Sequence, residues 1–345
     1  MTDPHVHLRD WNQSDKETVE HGMKTGAAAG FDRFFDMPNS NPPVTDRVAV
    51  EKRLALGRTA ELSLKKQGYD VHYHLYLGIT SDRHQIREMV QAYKDFFPRA
   101  CGLKMFASQS TGNMGIIGKD LQAKVYQALA DFDYRGVIAV HCEKEELFIS
   151  EPYGERKLKH SEKRPSESEA ESVRDQIENA EKSGFKGTLH IVHISTAAAL
   201  ETVKKIRKTG GLTITCAATP LHILLNTSNE TNIVKMNPPL RSESDRLAVW
   251  NGLFDGTIDW IESDHAPHTL SDKLKGACGL PGFEGMLMTI KALRKAGMTE
   301  KKLNSLFSGN VLKAFGMNLE SSEVPEVTDA MINAARCAYP VSAWN

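Results

Sequence analysis

The sequence lacks long hydrophobic runs, and it lacks an excess of charge of either sign. Its apolar runs, such as Gly136–Val140, fall far short of the ~20 residues that a membrane helix needs. The 43 Lys and Arg residues against 44 Asp and Glu residues leave a net charge of −1, so no global basic field exists to collect nucleic acid or an anionic membrane. The N-terminus has no basic start and no apolar stretch, which predicts that no secretory signal is present. We therefore expect neither a nucleic-acid partner nor a membrane partner.

Cysteine is scarce and shows no paired pattern. The five cysteines are an odd number without a CxxC pair, which favours a reducing compartment and predicts a cytoplasmic protein. The phosphate-binding patterns GxGxxG and GxxxxGK[ST] open none of the predicted helices. Histidine, with thirteen residues, is the one abundant feature, and its placement along the chain carries most of the functional information.

Short β-rich runs alternate with amphipathic helical stretches along most of the chain. Several of these runs are continuously apolar, as expected for parallel strands covered on both faces. The eight predicted strands are Asp3–Leu8, Phe31–Met37, Val71–Thr80, Ala100–Phe106, Gly136–Cys142, Gly187–Ile194, Gly211–Ala218 and Ile258–Asp264. The predicted helices are one that follows Ser14, which forms a capping-box pattern with Glu17, and then Thr45–Gln67, Asp82–Phe97, Lys119–Phe132, Ser166–Ser183, Ser195–Thr209 and Glu243–Phe254.

This alternation is typical of an α/β fold, and the count of eight strands predicts a (β/α)8 barrel of the TIM type. We expect the barrel over residues 1–320, followed by a C-terminal extension over residues 321–345 that either packs on the barrel or is a chain cut short. A doubly wound open sheet is the alternative, because strand order cannot be read from one sequence. The absence of a phosphate-binding loop favours the barrel.

Polar side chains stand at the predicted carboxyl ends of the strands, where barrels of this kind place their active groups. His5 and His7 share one face of the first strand, because side chains alternate with a period of two. Four further strands carry, near their ends, Lys104, His141, His193 and Asp264. Imidazoles and carboxylates are the ligands that Zn²⁺ and similar divalent metals prefer, so this group predicts a metal centre.

Lys104 is unusual in such a group, because an ammonium has no lone pair and repels a metal. Burial among cations lowers the pKa of an amine, and the neutral amine can add carbon dioxide to become a carbamate. The two oxygens of a carbamate could bridge two metals about 3.5–4 Å apart, the spacing of two-metal hydrolytic sites. The sequence therefore predicts two divalent metal ions, with Zn²⁺ as the preferred identity, and a carboxylated Lys104.

Other histidines serve as controls for the strand-end rule. His72 and His74 form a second His-X-His pair, but they stand at the start of their strand and are expected to face the bottom of the barrel. His190 precedes the end of its strand and, three residues from His193, is expected to point to the opposite face. We expect none of these three to bind metal.

Six short segments carry a resemblance to a known family. They are Asp3-Pro-His-Val-His-Leu-Arg9, Asp36-Met-Pro-Asn-Ser-Asn-Pro-Pro43, Gly102-Leu-Lys-Met-Phe106, Lys235-Met-Asn-Pro-Pro-Leu-Arg241, Asp264-His-Ala-Pro-His268 and Leu280-Pro-Gly-Phe-Glu-Gly285. In this order and at these intervals they resemble the amidohydrolase superfamily and, within it, the dihydroorotases. The segments run from residue 3 to residue 285, so the resemblance covers most of the chain.

The resemblance implies the reversible, zinc-dependent cyclisation of N-carbamoyl-L-aspartate to L-dihydroorotate, a step of de novo pyrimidine biosynthesis. It implies that the zinc ligands are His5, His7, His141 and His193, that Lys104 is the carboxylated bridging lysine, and that Asp264 is both a ligand and the general acid/base. It also implies substrate contacts at Arg9, Asn39, His268, Asn237 and, in a mobile loop, Thr111. Arg9 and Asn39 are similar to the pair that grips the substrate carboxylate, and a guanidinium can bind a carboxylate through two hydrogen bonds.

Two alternative functions stay open. Another cyclic amidohydrolase, such as an allantoinase, dihydropyrimidinase or hydantoinase, would share the metal ligands, but its uncharged ring has no need of Arg9. A catalytically inactive relative would act as a structural partner of aspartate transcarbamoylase, but it is expected to lack some of the six ligands, which are all present here. The expected partners are therefore a small substrate with a carboxylate and, among proteins, a second copy of the chain or aspartate transcarbamoylase.

The sequence departs from the family pattern in two places. The family's barrel is often flanked by a small β-rich domain built partly from residues before the first histidine pair, whereas only four residues precede His5. After the seventh strand, Ala218-Thr-Pro-Leu-His222 stands where relatives often have paired histidines. His222 is therefore a further candidate for a metal ligand or a substrate contact.

Overall fold

The computed structural model describes residues 1–109, 113–151 and 157–344. Within these residues, eight parallel strands form one sheet in which each strand lies beside its neighbour in sequence. The strands are β1 Thr2–Val6, β2 Arg33–Asp36, β3 His72–Gly78, β4 Ala100–Phe106, β5 Val137–His141, β6 Thr188–Ile191, β7 Thr213–Ala218 and β8 Trp260–Ile261.

The sheet closes into a barrel at a seam between its first and last strands. Val6 pairs with His265 in parallel, and the His7 amide donates to the His265 carbonyl at 2.7 Å. This closure confirms the (β/α)8 barrel and excludes the open doubly wound sheet, which would leave two free edges. β8 is shorter than predicted because the chain leaves the ladder after Ile261, and Asp264 then adopts a left-handed φ of 48°.

Helices lie between the strands and after the last one. They are α1 Val19–Ala28, α2 Arg47–Lys66, α3 Arg83–Phe96, α4 Lys119–Asp131, α5 His160–Lys163, α6 Ser166–Ser183, α7 Ala197–Thr209, α8 Pro220–Leu224, α9 Glu243–Asp255, α10 Leu270–Leu274, α11 Phe283–Lys295, α12 Glu300–Asn304, α13 Asn310–Ala314 and α14 Asp329–Cys337. Of these, α13 packs at the amino end of the lumen. Single 3₁₀ turns lie at Glu145–Leu147 and Thr227–Asn229, and a π-helical turn at Ser305–Gly309. Across the part of the chain that the structure describes, no helix has both the length and the hydropathy to span a membrane.

The start of α1 differs from the prediction. Thr18, and not Ser14, caps the helix, with its hydroxyl accepting the His21 amide at 3.2 Å. Asp10 stabilises the turn before α1, because its carboxylate accepts a hydrogen bond from the Val19 amide at 3.0 Å. The Ser14–Glu17 capping box is therefore wrong, because the chain between these residues is a turn and lies outside the helix.

The barrel has a hydrophobic layer on each side of its sheet. Leu75 and Leu103 pack outward under the helices, whereas Phe35 and Trp260 fill the lumen, as the alternation of side chains along a strand requires. Phe315, which follows α13, plugs the amino end of the lumen, with its ring centroid 5.1 Å from that of Phe35. Phe315 thus packs against the lumen residues from the amino end of the barrel, opposite the carboxyl ends of the strands.

The C-terminal extension packs on the outside of the barrel. α14 contacts α1 and α11, and Arg336 forms an ion pair with Glu284 at 2.6 Å. The Tyr339 hydroxyl donates to the buried Glu17 carboxylate at 2.5 Å. Glu17 also accepts a hydrogen bond from His265 at 3.1 Å. The extension thus covers the outer side of the seam.

Candidate metal centre

A cavity of about 180 Å³ opens at the carboxyl ends of the strands. Its lining includes every residue predicted to bind metal, namely His5, His7, Lys104, His141, His193 and Asp264. The barrel brings these six residues together from five strand ends, as the strand-end rule predicts.

His5, His7 and Asp264 form the first ligand group. The Nε2 atoms of the two histidines lie 3.2 and 3.0 Å from Asp264 Oδ1, and donor atoms of all three residues lie within 4.8 Å of one another. Burial lowers the pKa of His7 to about 4, so its ring is neutral, which is the form that ligates metals. The group offers two imidazole nitrogens and one carboxylate oxygen to a single ion.

His141 and His193 form the second ligand group. His141 Nδ1 lies 3.0 Å from His193 Nε2, and burial lowers the pKa of both rings, so both are neutral. His141 Nε2 donates to Glu143 at 3.1 Å, which leaves the lone pair of Nδ1 directed toward His193. The two groups are neighbours, since the ring centroids of His5 and His193 are 5.4 Å apart.

Lys104 lies against the same cavity, in a fully buried position. Its Nζ has no hydrogen-bond partner among the described residues, and it lies 4.8 Å from the ring centroid of Phe106. Burial lowers the pKa of Lys104 to about 8, which makes the neutral amine accessible near neutral pH. A buried amine without a partner is costly, and conversion to a carbamate that ligates metal would remove this cost.

The donor set fits two divalent metal ions. Four imidazoles, one carboxylate and one amine able to become a carbamate match the nitrogen and oxygen preference of Zn²⁺. Lys104 Nζ has no hydrogen-bond partner among the described residues. A lysine that served only as a structural cation would be expected to have one.

Sequence reasoning misses two buried carboxylates behind the ligands. Glu262 Oε1 accepts a hydrogen bond from His5 Nδ1 at 3.0 Å, and Glu143 Oε2 accepts one from His141 Nε2 at 3.1 Å. Metal-ligating histidines commonly donate their second ring N–H to a carboxylate in this way. A signal was available, because Glu262 precedes Asp264 by two residues and Glu143 follows His141 by two.

Arg9 and His268 lie at the edge of the cavity. Arg9 is 4% exposed, and its guanidinium forms no ion pair with any described carboxylate. Its Nη2 lies 3.1 Å from His268 Nε2, and burial together with the charges of Arg9 and Lys16 lowers the pKa of His268 to about 3, so this ring is neutral. Burial lowers the pKa of Arg9, and carboxylates such as Glu17 and Asp264 oppose this shift without an ion pair to its guanidinium, which leaves this cation at the cavity edge able to bind an anion.

Asn39 and Asn237 also line the cavity. Asn39 Oδ1 accepts a hydrogen bond from His7 Nδ1 at 2.7 Å, so this residue orients a candidate metal ligand. Asn237 Oδ1 accepts one from His160 Nε2, also at 2.7 Å. Thr111, which was predicted in a mobile loop, lies outside the described residues.

His222 is not brought to the cavity. Its Nδ1 lies 2.9 Å from the Thr219 hydroxyl, and its Nε2 donates to the Pro238 carbonyl at 3.1 Å. Both ring nitrogens are therefore occupied within the protein. His222 holds the loop that carries Asn237, and it has no nitrogen left for a metal or a substrate.

The predicted orientation of His190 is wrong. Its ring lies in the lumen, 4.3 Å from the ring centroid of Trp260, and its Nε2 is 3.4 Å from Glu262 Oε2. β6 ends at Ile191, and His193 then takes a left-handed φ of 38°. The alternation of side chains along a strand therefore does not extend from His190 to His193. As a result, both side chains face the inside of the barrel.

Comparisons with known proteins agree with this architecture. The chain is similar to the dihydroorotase of Methanosarcina mazei, at 33% identity over 99% of this chain and 75% of that protein. It is also similar to the dihydroorotase of Thermococcus kodakarensis, at 32% identity over 92% of this chain and 68% of that protein. No family model matches the chain.

Solved structures share the fold. The L-hydantoinase of Arthrobacter aurescens has a TM-score of 0.79 at 20% identity, over 95% of this chain and 73% of that chain. The dihydroorotase of Campylobacter jejuni has a TM-score of 0.70 at 17% identity, over 93% of this chain and 84% of that chain. The fold, the site and the relatives together define a metal-dependent cyclic amidohydrolase. Within this class, the chain belongs to the dihydroorotase family.

Proposed function

We propose that this protein interconverts N-carbamoyl-L-aspartate and L-dihydroorotate in pyrimidine biosynthesis. The observation that carries the proposal is the buried Arg9 guanidinium, which forms no ion pair and lies in the cavity that the six candidate ligands also line. A guanidinium in this position favours an anionic substrate beside the metal ligands. A ring that carries a carboxylate offers this anion, and an uncharged hydantoin or pyrimidine ring does not.

In this proposal, the cavity binds two divalent metal ions, and we take both to be Zn²⁺. The first would be held by His5, His7 and Asp264, the second by His141 and His193, and a carboxylated Lys104 would join them. When bound, the two metals would activate a water molecule for attack and polarise the ring carbonyl. The remaining steps belong to side chains of the protein.

Asp264 is the proposed general acid/base. Its carboxylate faces the cavity, with Oδ1 within 3.2 Å of both histidines of the first group. In ring opening, the carboxylate takes the proton of the attacking water and passes it to the departing ring nitrogen. In cyclisation, it removes the proton from the attacking carbamoyl nitrogen and passes it to the departing carboxyl oxygen.

Arg9 is the proposed anchor of the substrate carboxylate. A guanidinium donates two parallel hydrogen bonds to a carboxylate, which fixes both the position and the rotation of the ring. The neutral His268 ring lies 3.1 Å from this guanidinium, where it can contact the bound ring. Asn39, Asn237 and Thr111 complete the proposed set of substrate contacts.

The proposal also covers compartment and partners. The cytoplasm is the proposed compartment, in keeping with the five cysteines, all of which are free thiols. A homodimer and an association with aspartate transcarbamoylase are proposed as protein contacts, and sedimentation of the purified chain with and without the transcarbamoylase would test both.

Rates on four rings test the proposed function. We expect hydrolysis of dihydroorotate and none of hydantoin, dihydrouracil or allantoin. Arg9→Gln should lower kcat/KM for dihydroorotate by about 30-fold or more, because loss of one partner of a buried charge pair costs about 2–5 kcal/mol. Arg33→Gln is the matched control, since Arg33 pairs with Asp32 at the amino end of the barrel, and it should leave kcat/KM unchanged.

The opposite result would point to the hydantoinase alternative. If an uncharged ring were the best substrate, and Arg9→Gln left its turnover unchanged, the carboxylate assignment would be wrong. Loss of activity in Arg33→Gln would show that removal of any arginine damages the barrel, and the effect at Arg9 would then carry no information on the substrate.

A further inference from the structure

Glu262 lies beneath the candidate metal centre, inside the barrel. It follows β8 directly, and its side chain is fully buried. It does not line the cavity, so it does not touch a substrate. Among the described residues, no lysine or arginine pairs with its carboxylate, whose ionisable partners are His5 and His190.

One oxygen of this carboxylate serves both ligand groups. Glu262 Oε1 accepts a hydrogen bond from His5 Nδ1 at 3.0 Å and another from the backbone amide of His193 at 2.7 Å. His5 belongs to the first ligand group and His193 to the second. The other oxygen lies 3.4 Å from His190 Nε2, and His190 Nδ1 in turn lies 3.1 Å from the Thr215 hydroxyl.

The two bonds to Oε1 control different properties of the two ligands. The bond from His5 Nδ1 selects the tautomer whose Nε2 lone pair faces Asp264, and a carboxylate in this position makes the imidazole a stronger ligand. The bond from the His193 amide holds that residue at its left-handed φ of 38°, a conformation that is costly for a residue with a side chain. This conformation turns His193 toward the cavity after β6 has ended.

Glu143 provides the matched comparison. It is also fully buried, and it accepts a hydrogen bond from His141 Nε2 at 3.1 Å. Its other close partner is Arg164, whose Nη2 lies 2.5 Å from the carboxylate and which is not a candidate ligand. Glu143 therefore supports the second ligand group alone, whereas Glu262 supports both.

We infer that Glu262 is a positioning residue that couples the two metal subsites, because one of its oxygens holds a ligand of each. The inference rests on the proposed two-metal function and adds that occupancy of both subsites depends on one buried side chain outside the ligand set. Removal of this carboxylate should weaken both binding events, and removal of Glu143 should weaken one.

Zinc titration of metal-free protein distinguishes the two carboxylates. The wild-type protein, Glu262→Gln and Glu143→Gln would be titrated with Zn²⁺ in competition with a chromophoric chelator, and bound zinc would be counted by mass spectrometry. We expect the wild-type protein to bind two ions. Glu262→Gln should weaken both binding events by about 10–100-fold, which is typical of losing a partner behind a metal ligand. Glu143→Gln should weaken one event and leave the other at wild-type affinity.

Circular dichroism and thermal unfolding would establish that each metal-free variant is folded. If Glu262→Gln does not fold, Glu262→Asp would replace it, since it keeps the charge but withdraws it by one methylene, and weakening at both subsites is again expected. Wild-type affinity at both subsites, or weakening at only one, would overturn the inference. A wild-type protein that binds no zinc would instead contradict the proposed function, so the two failures are distinguishable.

Discussion

Two His-X-His pairs in this barrel have the same spacing, but they stand at opposite ends of their strands and have different hydrogen-bond partners. His5 and His7 stand at the carboxyl end of β1, and both Nε2 atoms lie within 3.2 Å of the Asp264 carboxylate. Their Nδ1 atoms donate to Glu262 and Asn39. Each Nε2 atom of this pair therefore faces an oxygen of the cavity, and each Nδ1 atom faces an oxygen that fixes the tautomer of the ring.

The second pair has neither feature. His72 and His74 stand at the amino end of β3, as predicted, where His72 is exposed to solvent. His74 is buried, its Nδ1 donates to the Pro98 carbonyl at 2.8 Å, and its Nε2 has no partner among the described residues. From this comparison we infer that the His-X-His motif does not predict a metal site by itself. The end of the strand on which it stands, and the carboxylates that reach it there, define the site.

The sharpest way to test this difference is the same substitution in both pairs. His7→Asn should lower kcat by about 10³-fold or more, because a two-metal site that lacks a ligand no longer activates water. His72→Asn should leave kcat unchanged and the free energy of unfolding within about 0.5 kcal/mol of wild type, as is usual for exposed positions. Steady-state kinetics, with the zinc content of each preparation, check both expectations. Equal losses in the two variants would mean that spacing, and not position in the barrel, determines function.

Metal removal is expected to have the next largest effect. Zinc that binds only the native state stabilises it by about 4 kcal/mol when its concentration is 1,000 times Kd, so chelation should lower the melting temperature of the wild-type protein by several degrees. His72→Asn should show the full shift, and His7→Asn should show a smaller one. Calorimetric scans with excess Zn²⁺ and with chelator measure the shift. A melting temperature that does not respond to zinc in any of the three proteins would argue against a metal centre at the first pair.

The smallest expected effect concerns pH and the second pair. Burial lowers the pKa of His74 to about 4, from 6.5 in the unfolded chain. The unfolded state therefore takes up the proton first as the pH falls, so the stabilisation from neutral His74 is present above pH 6.5 and is lost toward pH 4. This loss amounts to about 3 kcal/mol between pH 7 and pH 4. A chelator present throughout keeps zinc binding out of the measurement.

His74→Asn isolates this contribution, because the asparagine amide can still donate to the Pro98 carbonyl but does not titrate. Urea unfolding of the wild-type protein and the variant at several pH values gives the difference in unfolding free energy. We expect this difference to shrink as the pH falls. A difference that stays constant with pH would show that His74 keeps an ordinary pKa in the folded barrel.

The fold was largely predictable from the sequence, because buried parallel strands appear as continuous apolar runs. The eight predicted strands overlap the eight observed ones, but the ends differ. The predicted strand Ile258–Asp264 shrinks to Trp260–Ile261, since a hydrophobic pattern does not report the left-handed backbone at Asp264. The same limit explains the capping box, where a tertiary hydrogen bond from Val19 to Asp10 overrides a local motif.

The site residues were predictable where the position of a side chain depends only on the strand that carries it. The rule that active groups stand at strand ends brings the six predicted ligands to one cavity. It fails for His190, because the strand ends before the alternation can be extended to His193. It also overlooks Glu262, whose contact with His5 joins the two ends of the sheet. The spacing of two residues from Asp264 draws attention to Glu262, but it does not report the contact with His5, which only closure of the barrel creates.

The closing seam has a consequence for how the centre acquires its metal. His5 and His7 come before β2 in the chain, whereas Glu262 and Asp264 follow the last of the eight strands. During synthesis, the two imidazoles therefore lack Asp264, the carboxylate beside them, and Glu262, which orients the His5 ring. We therefore expect a fragment that ends before β8 to expose the first histidine pair without retaining an ion there.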